Sequence, residues 1–128
     1  MVVDLPAEKK VINIKSPIVY KNGDVLIIAV PSDKLHISCT ILYNHPLLSN
    51  QFLSLDITPE IFEKEIASAR TFCFDYEIEA LKNKGLAKGG SFENAVVVGQ
   101  KKIFTKLRFE DEFVRHKILD LIGDISLL

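Results

Sequence analysis

Apolar positions in the first half of the chain either run on for a few residues or recur at every second one. Val11 to Ile14, Pro17 to Tyr20 and Val25 to Val30 are short β-rich segments, and Asn22-Gly23 stands between the last two. An Asn-Gly pair between apolar runs predicts a hairpin, because both residues tolerate the backbone of a tight primed turn. Leu35 to Tyr43 alternates, with Leu35, Ile37, Cys39 and Ile41 on one side, and Phe52 to Ile57 repeats the alternation. Each predicts a half-buried strand. The first half therefore predicts an antiparallel sheet.

The pattern changes at Thr58-Pro59-Glu60. Thr58 can cap a helix, Pro59 suits its first position, and Glu60 favours its positive end, so a helix is expected from there to about Ala69. A short extended piece follows around Arg70 to Cys73. Asp75 to Lys84 is rich in helix formers and ends at Gly85, which suits a left-handed C-cap, so a second helix is expected there. Gly89-Gly90-Ser91 predicts a turn, Ala95 to Val98 a buried strand, Gly99-Gln100 another turn, and Ile103-Phe104 a partner for that strand. The last element is expected to begin near Phe109 and continue past Leu121, with Val114, Ile118, Leu121, Ile122 and Ile125 on one stripe. This order of elements predicts an α+β domain over residues 1–128, an antiparallel sheet packed against two main helices.

Composition narrows the classes of function. A chain of 128 residues with 48% hydrophobic content can bury one core. Sixteen basic residues against seventeen acidic ones leave a net charge of −1, so no overall field would recruit nucleic acid or an anionic membrane. Cys39 and Cys73 stand far apart, which argues against a disulfide framework and for a reducing compartment. The longest apolar run, Val25 to Val30, falls far short of the ~20 residues of a membrane helix. Asp4, Pro6 and Glu8 interrupt the place where a signal peptide would be apolar. A cytoplasmic location is expected. The apolar finish at Leu127-Leu128 leads to the expectation that further chain follows.

On a helical wheel with Val114 at zero, His116, Lys117, Asp120 and Asp124 fall opposite the apolar stripe. His116 and Asp120 are spaced i, i+4, so an imidazole and a carboxylate stand one above the other, a donor pair that suits zinc. Periodicity leaves the alternative open: a solvated helix face carrying a His–Asp pair.

The words around this pair decide between the two. Leu107-Arg108-Phe109-Glu110-Asp111-Glu112-Phe113-Val114-Arg115-His116-Lys117-Ile118-Leu119-Asp120, followed by Ile122-Gly123-Asp124, resembles the zinc-binding segment of the UDP-3-O-acyl-N-acetylglucosamine deacetylases of lipid A biosynthesis. Gly85-Leu86-Ala87-Lys88-Gly89-Gly90-Ser91, Ala69-Arg70-Thr71-Phe72-Cys73-Phe74 and Tyr43-Asn44-His45-Pro46 extend the resemblance in family order from about Thr40 to Leu128. Before Thr40 the likeness is one of pattern, as the first strands of that family's second domain would give.

The resemblance implies the following roles. His116 and Asp120 are two of three ligands to a catalytic Zn2+ whose open position carries the attacking water. The third ligand and the general base belong to an amino-terminal domain of the same enzyme, and His36 and His45 do not replace them. Thr71 steadies the oxyanion, and Asp124 orients a general-acid histidine from a segment beyond Leu128. Lys117 meets the polar part of the substrate, UDP-3-O-acyl-N-acetylglucosamine, while Tyr43, Phe72 and Phe74 line the sugar and uracil region. Residues 75–98 form an inserted β-α-β element that makes an apolar passage for the acyl chain, with Ile78, Ala87, Ser91 and Val97 at lining positions. The chain then holds part of an active site for removing the N-acetyl group, and by itself is expected to be inactive or very weak. A non-catalytic module that keeps the acyl and nucleotide surfaces is the alternative.

Overall fold

The computed structural model describes residues 11–128. The amino-terminal segment read for a leader, with Asp4, Pro6 and Glu8, lies outside the described residues. Contacts divide the chain into two compact units, with the boundary between Asp33 and Lys34.

In the first unit, β1 (Ile18–Asn22) and β2 (Val25–Ala29) pair as an antiparallel hairpin with Asn22 opposite Val25. The two loop residues are therefore Gly23 and Asp24, one position later than the Asn-Gly pair predicts. Gly23, at φ 57°, takes the left-handed backbone that a side chain would disfavour. Val11 to Ile14 forms no strand. Its β-branched residues have the propensity, but a ladder also needs a partner, and β1 is paired only with β2 among the described residues.

The second unit carries the site. Here β3 (His36–Ile41) and β4 (Gln51–Asp56) run antiparallel with His36 opposite Asp56, and β5 (Thr71–Phe74) and β6 (Ala95–Val98) run parallel with Thr71 opposite Ala95. The expected antiparallel sheet is thus resolved into two-stranded ladders, one of them parallel. Parallel strands need a crossover, and α2 (Asp75–Asn83) supplies it; the β-α-β unit so formed takes its first strand from Thr71–Phe74, before the 75–98 bounds expected for it. Gly85 closes α2 at φ 70°. Ile103 pairs with Val98 as a single bridge rather than as a strand.

Thr58 accepts the Ile61 N–H at 3.2 Å and opens α1 (Pro59–Ile61). This helix widens at once into a π-helical turn, Phe62–Ile66, and stops short of Ala69. The widening carries Ile66 into the core, where it is fully buried. The last helix, α3 (Glu112–Ile125), starts three residues after Phe109 because the N–H of Glu112 closes a turn on the Phe109 carbonyl.

Two apolar clusters meet on α3. Ile118 packs with Ile37 and Ile66, joined by Leu53 and Leu55 of β4 and by Phe62 of the π-helical turn. Phe113 packs with Leu48, Val96 and Val98, joined by Tyr43, Phe72 and Phe74 from the β5–β6 side. One helix therefore links both ladders. Burial fades along its stripe, with Val114 and Ile118 fully buried, Leu121 and Ile122 half-buried and Ile125 exposed.

Candidate active site

His116 sits in the middle of α3, so its backbone is held by the helix and its side chain by whatever lies across from it. Its Nδ1 is 3.1 Å from the Ala69 carbonyl, in the segment that leads into β5. Its side chain is only 14% exposed, so the alternative of a solvated helix face does not hold at this point. The wheel describes α3 alone, whereas the segment 68–70 packs on its opposite side. With Nδ1 against a carbonyl, Nε2 is left beside Asp120 Oδ1 at 3.3 Å. Asp120 also accepts from Lys117 Nζ at 2.9 Å and is 44% exposed.

A zinc ion would thus find an imidazole nitrogen whose other nitrogen is already engaged, and a carboxylate oxygen one helical turn away. That is the arrangement of a metal-binding histidine with its outer partner in place. Among the described residues no group of three or more His, Cys, Asp or Glu could hold a metal ion. The donors present fit half of a zinc site. His45 and His36 lie in other settings: His45 Nδ1 accepts the Leu47 N–H at 3.2 Å, its Nε2 is buried without a hydrogen-bond partner, and its ring leans on Phe74. His36 bonds Asp56 at 2.6 Å and Ser54 at 2.9 Å.

Beside the pair lies an aromatic group. Lys117 Nζ stands 5.8 Å from the centre of the Phe72 ring. Phe72 meets Phe113 edge-on at 4.9 Å, Tyr43 at 5.5 Å and Phe74 at 6.4 Å. Such edge-to-face pairs add order to simple burial. The structure therefore brings Tyr43, Phe72, Phe74, Lys117, His116 and Asp120 into one connected set. Thr71 is exposed at the start of β5, directly before Phe72, and Asp124 is exposed one turn beyond Asp120.

The expected passage residues are dispersed along the insert. Ile78 is half-buried on α2, Ala87 is exposed in the following turn with φ 54°, Ser91 is exposed, and Val97 is buried on β6. A cleft of about 400 Å³ lies between β5 and α2, lined by Phe72, Cys73, Tyr76, Glu77, Ala80, Leu81 and Lys84. Of the residues expected to contact substrate, it shares Phe72. Burial pushes the Cys73 thiol up, so it is a weak nucleophile there.

Sequence reasoning missed the most buried polar group of this region. Glu112 is fully buried, and its carboxylate accepts from Arg70 Nε at 2.9 Å, from Arg70 Nη2 at 3.1 Å, and from the N–H groups of Arg70 at 3.0 Å and Arg108 at 2.7 Å. Arg70 also donates to the carbonyls of Phe92 and Lys106. Burial pushes the Glu112 carboxyl up, but the bonds from Arg70 and from the two backbone N–H groups outweigh it and hold it below the usual range. The available signal was spacing: Glu112, His116 and Asp120 stand at i, i+4 and i+8.

Residues 1–128 match the family model "LpxC: UDP-3-O-acyl N-acetylglycosamine deacetylase". Proteins named UDP-3-O-acyl-N-acetylglucosamine deacetylase are similar throughout. The one from Sulfurimonas denitrificans is 46% identical, with 99% of this chain and 44% of the relative aligned. The one from Nitratiruptor sp. is 44% identical over 99% of this chain and 43% of the relative. For Saccharophagus degradans the identity is 47%, over 99% and 43%. The chain spans less than half the length of these curated relatives.

Proposed function

The chain belongs to the UDP-3-O-acyl N-acetylglycosamine deacetylase family, and from that premise we propose that it supplies part of a zinc-dependent active site in lipid A biosynthesis. That site removes the N-acetyl group of UDP-3-O-acyl-N-acetylglucosamine, releasing acetate and leaving a free 2-amino group. The observation that carries the reading is the His116–Asp120 pair, with Nδ1 against a backbone carbonyl and Nε2 beside the carboxylate.

His116 Nε2 and an Asp120 oxygen would hold the zinc ion. When bound, zinc supplies Lewis-acid polarisation and a water acidic enough to react near neutral pH. The remaining work falls to side chains. Thr71 offers a hydroxyl to the oxygen that becomes negative as the acetamide carbon turns tetrahedral. Asp124 orients an imidazole that protonates the departing nitrogen. Lys117 meets the anionic part of the substrate, and Tyr43, Phe72 and Phe74 present ring faces and edges to sugar and uracil. Ile78, Ala87, Ser91 and Val97 line the way for the acyl chain.

The base, third ligand and general acid come from the amino-terminal domain and from a segment after Leu128. The chain works in the cytoplasm, a compartment suited to the unpaired Cys39 and Cys73; no helix among the described residues is long and apolar enough to cross a membrane. The two-donor set among the described residues also keeps a second reading in view, a module that binds the substrate without acting on it.

Turnover of the acylated UDP-sugar with added zinc tests the proposal, for the chain alone and mixed with the amino-terminal portion and the final segment of a relative. Activity only in the mixture, abolished by His116→Ala or Asp120→Ala, is expected. Substrate binding with no turnover in either case would replace the catalytic reading by the binding one.

A further inference from the structure

One peptide group, the unit joining Ala69 to Arg70, is held at both ends by α3. Its N–H donates to Glu112 Oε1 at 3.0 Å, and its C=O faces His116 Nδ1 at 3.1 Å. Glu112 and His116 are four residues apart and so stand one turn apart on the same helix face. In a trans peptide the N–H and C=O point in opposite directions, so one such group can span that turn and bind both side chains at once.

The carboxylate has no freedom to turn away. Glu112 is fully buried, and its second oxygen is taken by Arg70 Nη2 and by the Arg108 N–H. Arg70 is anchored in turn on the carbonyls of Phe92 and Lys106. On the other flank the Ser68 carbonyl is held by Arg108 Nη1 at 2.7 Å. The Ala69 carbonyl is therefore fixed in place before His116 meets it.

We propose that Glu112 is a positioning residue for His116: acting through the Ala69–Arg70 peptide, it fixes the carbonyl that accepts the Nδ1–H and so turns Nε2 toward Asp120. A carbonyl can only accept, so the Nδ1 that faces it must carry the proton. An anionic acceptor on the N–H side of an amide polarises the group and makes its C=O a stronger acceptor. A stronger acceptor on Nδ1–H in turn makes Nε2 a better donor to a metal. Metal-binding histidines commonly rest on a carboxylate or on a carbonyl; here the carboxylate acts through the carbonyl's own peptide group. This last step rests on the reading of His116 as a zinc ligand, whereas the tautomer does not.

Long-range 1H–15N correlation spectra of the metal-free 128-residue chain read the tautomers directly at about pH 9, well above the ordinary histidine range. Spectra of His36→Gln and His45→Gln assign the three imidazoles. With Asp120→Ala, which removes the carboxylate that competes for a proton on Nε2, His116 is expected wholly as Nδ1–H, and an Nε2–H form there would overturn the proposal. Glu112→Gln is expected to give a tautomer mixture in that Asp120→Ala background and, with Asp120 intact, to weaken Zn2+ binding roughly 10–100-fold. Arg70→Lys is the control for a merely structural role. It loses the bonds to Phe92 and Lys106 and the guanidinium fork on Glu112 but keeps a positive charge and the backbone N–H there, so it should lower stability and leave the tautomer unchanged; a tautomer shift as large as that of Glu112→Gln would reduce the role to a structural one. An unchanged tautomer in a folded Glu112→Gln chain, with the methyl signals of Val96, Val98 and Val114 in place, overturns the positioning role. If that variant does not fold, Glu112→Asp puts the same question, since it keeps the charge and retracts the carboxylate by one methylene. Titrating Zn2+ into the chain with Asp120 intact separates the two layers. Resonances of His116 and Asp120 that stay unmoved refute the zinc reading and leave the tautomer result standing, whereas zinc that moves both, with tautomers insensitive to Glu112, refutes the positioning role alone.

Discussion

Glu112→Gln is the sharpest test of how this unit is held together. Arg70 and Glu112 are 8% and 0% exposed, so neither charge has water to fall back on. Four donor contacts converge on the carboxylate: two from the Arg70 side chain and one each from the N–H groups of Arg70 and Arg108. A glutamine keeps one acceptor oxygen and turns an NH2 group toward the other two donors. Each buried donor left without an acceptor costs about 1–3 kcal/mol, and breaking a buried ion pair by removing one partner costs about 3–5 kcal/mol. These describe the same loss and are not summed, so the expected destabilisation is about 3–5 kcal/mol. Urea unfolding of the chain at pH 7, followed by far-UV circular dichroism, measures it. With a slope of roughly 1–3 kcal/mol per M, the midpoint should fall by at least about 1 M, or the cooperative transition should vanish. A second expectation separates this site from a simple ion pair. Replacing both partners with apolar residues often recovers stability, but Arg70→Met with Glu112→Leu should not, because the backbone donors of Arg70 and Arg108 would still be stranded. A Glu112→Gln loss below about 1 kcal/mol, or full recovery in the double variant, would refute the reasoning.

Other expected outcomes follow from the same geometry. Because its hydrogen bonds hold the folded Glu112 carboxyl below its usual range, the unfolded chain takes up that proton first as pH falls. The stability it contributes is complete above the ordinary glutamate value of about 4.3 and is lost as pH drops from there toward the folded value; urea midpoints between pH 7 and 3 should fall less steeply for Glu112→Gln than for the unaltered chain, and equal slopes would exclude the effect. Gly99→Ala should lower the thermal midpoint by the equivalent of about 1–3 kcal/mol, since its Cβ would lie 2.5 Å from the Phe104 ring and 3.2 Å from the Lys102 carbonyl. Gly123→Ala, inside α3 with nothing within 4 Å of the added Cβ, should raise stability by about 0.5–1 kcal/mol, and a loss in the same melting experiment would show that the position is constrained.

The fold was legible in the sequence where the signal is local. Alternation located β3 and β4, the Thr58-Pro59 pair located the start of α1, and Gly85 marked the end of α2. Local signals failed where pairing or packing decides. The β-branched stretch Val11 to Ile14 has strand propensity without a ladder. The glycine of the hairpin turn sits first in its loop because pairing of Asn22 with Val25 fixes the register. The direction of the β5–β6 pair follows from the crossover through α2, which no single strand encodes.

The candidate site divides along the same line. The His116–Asp120 spacing is a property of one helix and could be read directly, whereas the aromatic positions that gather at Phe72 were supplied by the family resemblance. Whether that helix face is solvated depends on two segments, with Ala69 and His116 47 residues apart, and a wheel drawn from α3 alone left the solvated alternative open where the Ala69 carbonyl covers His116. Glu112 shows the consequence most clearly. On the wheel it belongs to the polar side with His116 and Asp120, yet it is more buried than the apolar residues Leu121, Ile122 and Ile125 of the opposite stripe. A glutamate tolerates that position only because Arg70, 42 residues earlier, brings a guanidinium and a backbone N–H to it. The i, i+4, i+8 row of acid, imidazole and acid is therefore ambiguous in sequence. It becomes a graded series once the 68–70 segment is laid across it: buried carboxylate, half-buried imidazole, exposed carboxylate. That gradient holds the inner acid as an anion and leaves the outer acid within reach of a ligand.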